Sequence, residues 1–457
     1  MERIFCGVRG LFCVCLAVAA VLVLGQCGWA AALTLAACAW ALWKKPLPHF
    51  TAWLFAGGLL LRVVILLLLH PPIISDFELL LWAARGVLSG DHSYLNTEYF
   101  ALWGYQFGIV SWEAFWLMLW DNPLILKLVN AGLGAATACL LYRFAREWAG
   151  ERPAQLASFL LAASPFCSTL HTLLSNQIPS AFFLTLGLWV LACGDCKRLG
   201  FWRFPLAGLA LQAGNILRSE GIIFLVAIFA WAVFRVLHEK AEFRRLAAGL
   251  AVLLVVYCGV HACTDAAIRA ADINPYGLEN RNPMWKVVTG LNFDSKGGYS
   301  SQDWYAVIAH LDENHQMTET SHAEQRWLIR SRLSSGPAAL LAHLHNKIEF
   351  LWIDDALHWM FDHLEEYHPL LVSWARELER GLFFLAFGLA GYGFFGNWKR
   401  WEKLGFSAYL PYFIFFAAFC AFVLIEVQPR YAFLPQLYIY TAAALGLERL
   451  EGKLKDA

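Results

Sequence analysis

The sequence predicts an all-α polytopic membrane protein with about twelve spans, and three observations lead there. Hydrophobic residues make up 59% of the 457 and charged residues only 15%, a balance that does not suit a water-soluble globule. Apolar runs of about twenty residues recur from one terminus to the other, each long enough to cross a hydrocarbon core about 30 Å thick at 1.5 Å per residue. Lys and Arg cluster between the runs in a pattern that the positive-inside rule can orient.

Taken in order, the expected spans are approximately 10–25, 28–43, 49–69, 124–143, 154–171, 178–195, 203–218, 221–237, 246–264, 380–397, 406–425 and 431–448. The first follows Arg3 and Arg9 and resembles a signal peptide, but a second apolar run comes at once, so it is read as an uncleaved span. The segment Trp103–Trp120 is apolar too, yet carries Gln106 and Glu113 and is rich in Trp and Tyr. Charge bookkeeping decides its place. If it does not cross, the clusters Lys44/Lys45, Arg143/Arg146/Arg152, Lys197/Arg198/Arg203, Lys240/Arg244/Arg245, Lys399/Arg400/Lys403 and Lys453/Lys455 all share the side of Arg3 and Arg9. Those loops and both termini are then cytoplasmic, and Trp103–Trp120 is an interfacial or re-entrant helix.

The opposite side receives a first external loop (residues 71–122), the turns Ser175–Gln177, Arg218–Glu220 and Glu426–Tyr431, and a polar block (265–379). The expected organisation is an N-terminal transmembrane module (1–264) containing that loop, a small mixed or mostly helical extracytoplasmic domain (265–379), and a C-terminal transmembrane module (380–457). Lys plus Arg and Asp plus Glu balance at 35 each, so no global charge points to nucleic acid. None of the twelve cysteines falls in the polar block, which argues against a disulfide framework. Cys193 and Cys196 form a C-x-x-C at the end of an apolar run, where small apolar packing is the ordinary role. Eight histidines of the block, from His310 to His368, match no zinc spacing. Neither a P-loop nor a nucleophile elbow is present.

Charged groups at the edge of hydrocarbon cost energy, so those that persist there are candidates for function, and acids weigh more than snorkelling bases. Asp76 and Glu78 follow a span in "SDFELLLWAARGVLSGD", the start of a helix expected along the membrane surface. Asp76 is either a helix N-cap or, with its pKa raised by partial burial, a general base. Arg218 and Glu220 share a tight turn and either pair or serve a substrate. Glu426, Gln428, Arg430 and Tyr431 occupy "EVQPRYAF", where a guanidinium fork suits a phosphate or an interfacial anchor. Lys127 and Lys347 either add positive charge near a lipid phosphate or snorkel, and Asn176 and Gln177 either orient a hydroxyl or simply form a turn.

Together "SDF", "SNQIPSAFF", "NILRSEGIIFLVA", "GLNFDSKGGYS", "NKIEFLWIDD" and "EVQPRYAF", in this order across nearly the whole chain, resemble the GT-C class of polyprenyl-phosphate-dependent glycosyltransferases. The likeness is greatest to the glycosyltransferase family 39 branch, with protein mannosyltransferases and aminoarabinose transferases as relatives. The resemblance implies a GT-C-like bundle that takes one sugar from an undecaprenyl or dolichyl phosphate to an acceptor outside the cytoplasm, in the cell membrane, here the plasma membrane of a bacterium. It makes Asp76 the catalytic base and Arg430 the basic residue of the late turn. The sequence departs from the pattern at Arg218–Ser219, where relatives have Arg-Pro, and at Asn176–Gln177, where many place an acid.

The expected reaction is inverting transfer. Asp76 is assigned as base with Glu78 beside it, and Arg430, Arg218, Lys347, Lys127 and Tyr431 as the donor phosphate site. Asn176, Gln177, Glu220, Glu426 and Gln428 are assigned to orient the substrates. No cofactor is required by this chemistry, and a divalent cation (magnesium or manganese) between Asp76 and Glu78 is left open. The partners are the polyprenyl-phosphate sugar, a glycan, lipid or protein acceptor, and the bilayer. A flippase for the same carrier is the rival class; it would carry inverted repeats and polar groups deep in several spans, of which Arg62 is the main one.

Overall fold

A computed structural model describes residues 46–238, 243–397 and 406–455. The chain there is 80% helical and forms no strand among the described residues. The expected spans 10–25 and 28–43 lie outside the described residues.

Five helices are long and apolar enough to cross a membrane: Phe50–Leu68, Pro123–Ala149, Phe243–Ala270, Pro369–Gly396 and Ser407–Leu424. The bent pair Pro165–Thr172 and Gln177–Ala192 makes a sixth if counted as one span, and Gly221–Leu237 is apolar but shorter. These helices make the protein a multi-pass membrane protein. Pro123–Ala149 has 27 residues, about 40 Å at 1.5 Å each, so it extends well past the hydrocarbon. The last helix, Phe433–Lys455, packs between Pro369–Gly396 and Glu151–Ala163 at the centre of the bundle; Tyr438, Ile439, Tyr440 and Leu445 on it are fully buried.

The expected span 154–171 is broken. Pro165 has no N–H to donate and pushes the residue before it out of the helical region; Ser164 is extended there (φ −62°, ψ 119°) and the helix Glu151–Ala163 stops. The acid that repairs the break comes from another helix. Glu379 accepts from the Ser164 hydroxyl at 2.6 Å and the Phe166 N–H at 2.9 Å. After it the chain turns through 119° into Gln177–Ala192, which places half-buried Asn176 and buried Gln177 at the start of that helix.

In the segment 71–122, Asp76–Ser89 is a helix with Phe77, Leu80, Leu81, Ala83 and Ala84 on its buried face. It packs against Phe107–Leu119, whose 13 residues reach about 20 Å, short of the hydrocarbon thickness. Gly108 of that helix lies so close to Ile216 that an added Cβ would stand 1.9 Å from its carbonyl oxygen. Only a residue without a side chain allows that approach.

Five helices (Trp285–Gly290, Ser301–Ile308, Glu319–Leu333, Pro337–Trp352 and His358–Glu365) fold the polar block. Trp103, Trp285, Val288, Val307 and Leu328 give it a small core of its own, and Arg332 Nη2 donates to both Asp303 oxygens at 2.7 and 2.8 Å while Nη1 donates to Val288 O. Its later helices join the main core instead, through Leu351, Leu357, Met360 and Phe361. The expected boundary at 379/380 falls inside the helix Pro369–Gly396. Apolar length alone placed that edge, because the helix begins as a polar stretch outside the apolar run.

Candidate active site

Between the segment 71–122, the polar block and the ends of the apolar helices lies a cavity of about 1220 Å³. Asp76 enters it at the first position of its helix. The residue before it, Ser75, holds φ at +59°, a conformation that costs a non-glycine residue about 1–3 kcal/mol and fixes where the helix and its first carboxylate point.

Arg430 faces it from the turn Pro429–Ala432. Its Nη2 lies 3.3 Å from Asp76 Oδ2, and its Nε donates to Gln428 Oε1 at 2.8 Å. The guanidinium is flanked by Phe77 and Trp359, with ring centroids 5.0 and 5.3 Å away, and is 9% exposed against 45% for Asp76. A buried cation thus meets a half-exposed acid. Arg430 is also anchored through its backbone, because the Gln177 carboxamide donates to its carbonyl.

Arg218 sits beside it. Its Nε binds Glu220 at 2.6 Å, Nη1 donates to Asn176 at 3.2 Å, and its guanidinium carbon is 4.7 Å from the Tyr431 ring centre. Burial alone would lower its pKa, but Glu220 and Tyr431 more than offset this and raise it.

The third cation is Lys286, absent from the sequence-based assignments. Its Nζ is 2.8 Å from Glu426 Oε2, while Gln428 and Tyr431 donate to Glu426 Oε1 at 3.0 and 3.1 Å. Burial would push the two charges toward neutrality; their mutual attraction wins, holding the Glu426 carboxyl below its usual range and the Lys286 ammonium above. Backbone pairing fixes the register: Glu426 N–H donates to Lys286 O at 2.7 Å and Val427 N–H to Gly297 O at 2.9 Å. No pattern around "NPMWKVV" marks this lysine, since the backbone of the distant 425–428 turn selects it.

Of the expected residues, the fold brings Asp76, Asn176, Arg218, Glu220, Glu426, Gln428, Arg430 and Tyr431 to one cavity wall. Gln177 stands just behind. Glu78 is exposed and outside the lining, as its position two residues along the helix from Asp76 requires. Asp76 therefore lines the cavity without Glu78, and among the described residues no group of three or more His, Cys, Asp or Glu is placed to hold a metal. Lys127 is half-buried on its long helix and does not line the cavity.

Lys347 is not at the cavity surface either. It is 2% exposed and donates to Gly290 O at 2.8 Å and Val423 O at 3.1 Å. It ties the Lys286 helix to the end of Ser407–Leu424 from behind. Burial pushes its ammonium down to about 7 from 10.5. Between these values the unfolded chain binds more protons than the folded one, so stability rises with pH across that window. Lys347→Met should abolish this slope in thermal unfolding from pH 7 to 10. The two carbonyls left without a donor should add a pH-independent loss of about 1–3 kcal/mol to that pH-dependent difference, while substrate KM should stay within about twofold. A large rise in that KM with stability intact would return Lys347 to the binding site.

Over residues 115–261 the chain matches the family model of the dolichyl-phosphate-mannose-protein mannosyltransferases. No curated protein sequence matches it. Among solved structures, the oligosaccharyltransferase AglB from Archaeoglobus fulgidus superposes with a TM-score of 0.50 at 15% identity, over 89% of this chain and 51% of that one. ArnT from Cupriavidus metallidurans superposes with a TM-score of 0.40 at 14% identity, over 88% of this chain and 77% of that one. The chain spans about half the length of the oligosaccharyltransferase. Helices long enough to cross a bilayer and the superposition together give this chain the GT-C fold, and residues 115–261 match the mannosyltransferase family's model.

Proposed function

We propose that the protein is a membrane glycosyltransferase that moves a single sugar from a polyprenyl-phosphate carrier to an acceptor outside the cytoplasm, with inversion at the anomeric carbon. The observation that carries this reading is the ion pair of half-exposed Asp76 and buried Arg430 in the cavity wall, with Arg218 and Lys286 beside it.

The chemistry follows from the charges. A carrier phosphate offers Arg430 two acceptor oxygens in place of one strained to 3.3 Å, and bidentate charge-assisted contact favours the exchange. Asp76 is then released from its partner to accept the proton of an acceptor hydroxyl. As the oxygen attacks, the C1–O(phosphate) bond breaks and the phosphate leaves with the electron pair, matched by Arg430, Arg218 and Lys286. Attack opposite the leaving group, in one displacement, inverts the anomeric centre.

Three cations face three carboxylates (Asp76, Glu220 and Glu426) across these contacts. The mannosyltransferase family is named for a dolichyl-phosphate-linked sugar, and the archaeal enzyme was solved with a dolichol-phosphate; both support a lipid phosphate as donor. In this reading the cavity opens outside the plasma membrane of a bacterium and both termini are cytoplasmic.

The test supplies purified protein in nanodiscs with radiolabelled polyprenyl-phosphate sugar and a cell-envelope acceptor fraction. Label should move to the acceptor, with the product of opposite anomeric configuration by NMR. Retained configuration would overturn the single displacement, and movement of the carrier between leaflets without any transfer would make the protein a flippase.

A further inference from the structure

The cavity has a second surface that the phosphate chemistry leaves unused. Trp103, Trp285, Tyr299 and Trp304 line it. Trp304 stacks on Trp103 with ring centres 5.5 Å and planes 26° apart, and meets Trp285 edge to face at 5.3 Å. Tyr299 touches Trp285 in the same edge manner at 6.4 Å. Trp103 and Trp285 are buried in the small core of the polar block and serve as backing, whereas Tyr299 is exposed and Trp304 half-buried. Rings held from behind offer a flat apolar face at little further cost in conformational entropy.

Such a face suits one chemical class. The C–H bonds on one side of a pyranose ring are weakly positive and pack on the negative face of an aromatic ring, while its hydroxyls point sideways to polar groups. Glu98, Gln106 and Asn280 line the cavity with the platform and supply such groups. The platform shares its cavity with the reacting centre: Asp76 and Glu426 line the same space as Tyr299 and Trp304. A polypeptide acceptor would seek backbone partners, such as an open strand edge. No strand exists among the described residues, and the isolated bridge between Trp103 and Asn280 is already closed.

We propose that this aromatic wall is the acceptor subsite and that the acceptor is a carbohydrate, whose ring lies on Trp304 and Tyr299 and turns one hydroxyl toward Asp76. The proposal rests on the transferase reading above and adds the acceptor's class. In the step it implies, the acceptor oxygen bonds to C1 of the donor sugar, its proton passes to Asp76, and the carrier phosphate leaves with the electrons of the broken C1–O bond. The platform belongs to segments outside the apolar spans, where an envelope acceptor arrives, and not to the helices that meet a polyprenyl tail.

The experiment divides one envelope acceptor fraction into untreated, periodate-oxidised and proteinase-digested portions, each given to the protein in nanodiscs with radiolabelled polyprenyl-phosphate sugar. Periodate, which cleaves vicinal diols, should abolish acceptance; proteinase should leave it. Partition of the labelled product into organic solvent identifies a glycolipid, and retention in water a glycan chain. Trp304→Ala should raise the KM for the acceptor about tenfold relative to the KM for the donor, with Trp304→Phe restoring much of the loss. Tyr299→Ala, at an exposed ring, should shift the same ratio without disturbing the core. Acceptance that survives periodate and is lost to proteinase would overturn the proposal in favour of a polypeptide, as would an unchanged ratio in both alanine variants. Donor consumption with no label on carbohydrate would sink this proposal alone. No consumption of donor, to acceptor or to water, would sink the transferase reading with it.

Discussion

Asp76→Asn should reduce sugar transfer by about 10²- to 10⁴-fold, the range in which a positioned general base contributes. Asparagine keeps the size of the side chain and can still accept from Arg430, so the turn and the donor site should persist. What it lacks is the basicity to take a proton from the acceptor hydroxyl. The loss should therefore fall on kcat, with the KM for the carrier changed little. Thermal unfolding should move by less than a few degrees, since the Asp76 carboxylate is 45% exposed and its ion pair contributes little to stability in water. Equal loss of kcat and of donor binding would mean that Asp76 positions the phosphate and does not remove the proton.

Arg430→Gln should cost about 10²- to 10³-fold in kcat/KM, comparable to removing one preorganised donor at a developing anion. Both parameters should suffer, because the guanidinium meets the phosphate in the ground state and more strongly as the C1–O bond breaks. Arg430→Lys should recover only part of the loss. A lysine cannot hold Gln428 and Asp76 together as the fork does, nor stack between Phe77 and Trp359 in the same way. Full activity in Arg430→Lys would show that charge alone matters at this position. Full activity in Arg430→Gln would remove the residue from the mechanism.

The site was legible where membrane physics restricts the alternatives. Counting positive loops led to the expectation that an acid and two arginines at short turns share one face, and Asp76, Arg218 and Arg430 line one cavity. Gln177 was legible as a polar group in a turn; its role, holding the Arg430 backbone, was not. Lysines were the weak point. Lys286 and Lys347 both belong to the polar block, where lysine is ordinary, and nothing local separates the one that faces the cavity from the one that faces two backbone carbonyls. The distinction arises from backbone pairing of the 425–428 turn with Lys286 and Gly297, contacts between segments over a hundred residues apart in the chain.

Helix type was read more easily than helix continuity. Apolar length marked the crossing helix Phe243–Ala270, but an apolar window passes over a break such as Ser164–Pro165, where the composition stays hydrophobic and only the missing N–H interrupts the helix. Glu379, which closes that break, lies one residue before the expected span 380–397, and nothing local in the sequence ties it to Ser164. Likewise the aromatic platform was visible only as a Trp- and Tyr-rich composition, because stacking Trp103 on Trp304 requires the first external loop and the polar block to fold together.

The most direct measurement is a cryo-EM structure of the protein in nanodiscs with a bound polyprenyl phosphate. The account predicts phosphate density in contact with Arg430 and within reach of Arg218 and Lys286, with the Asp76–Arg430 contact opened so that the carboxylate faces the cavity. A phosphate bound elsewhere, with that 3.3 Å pair intact, would contradict it.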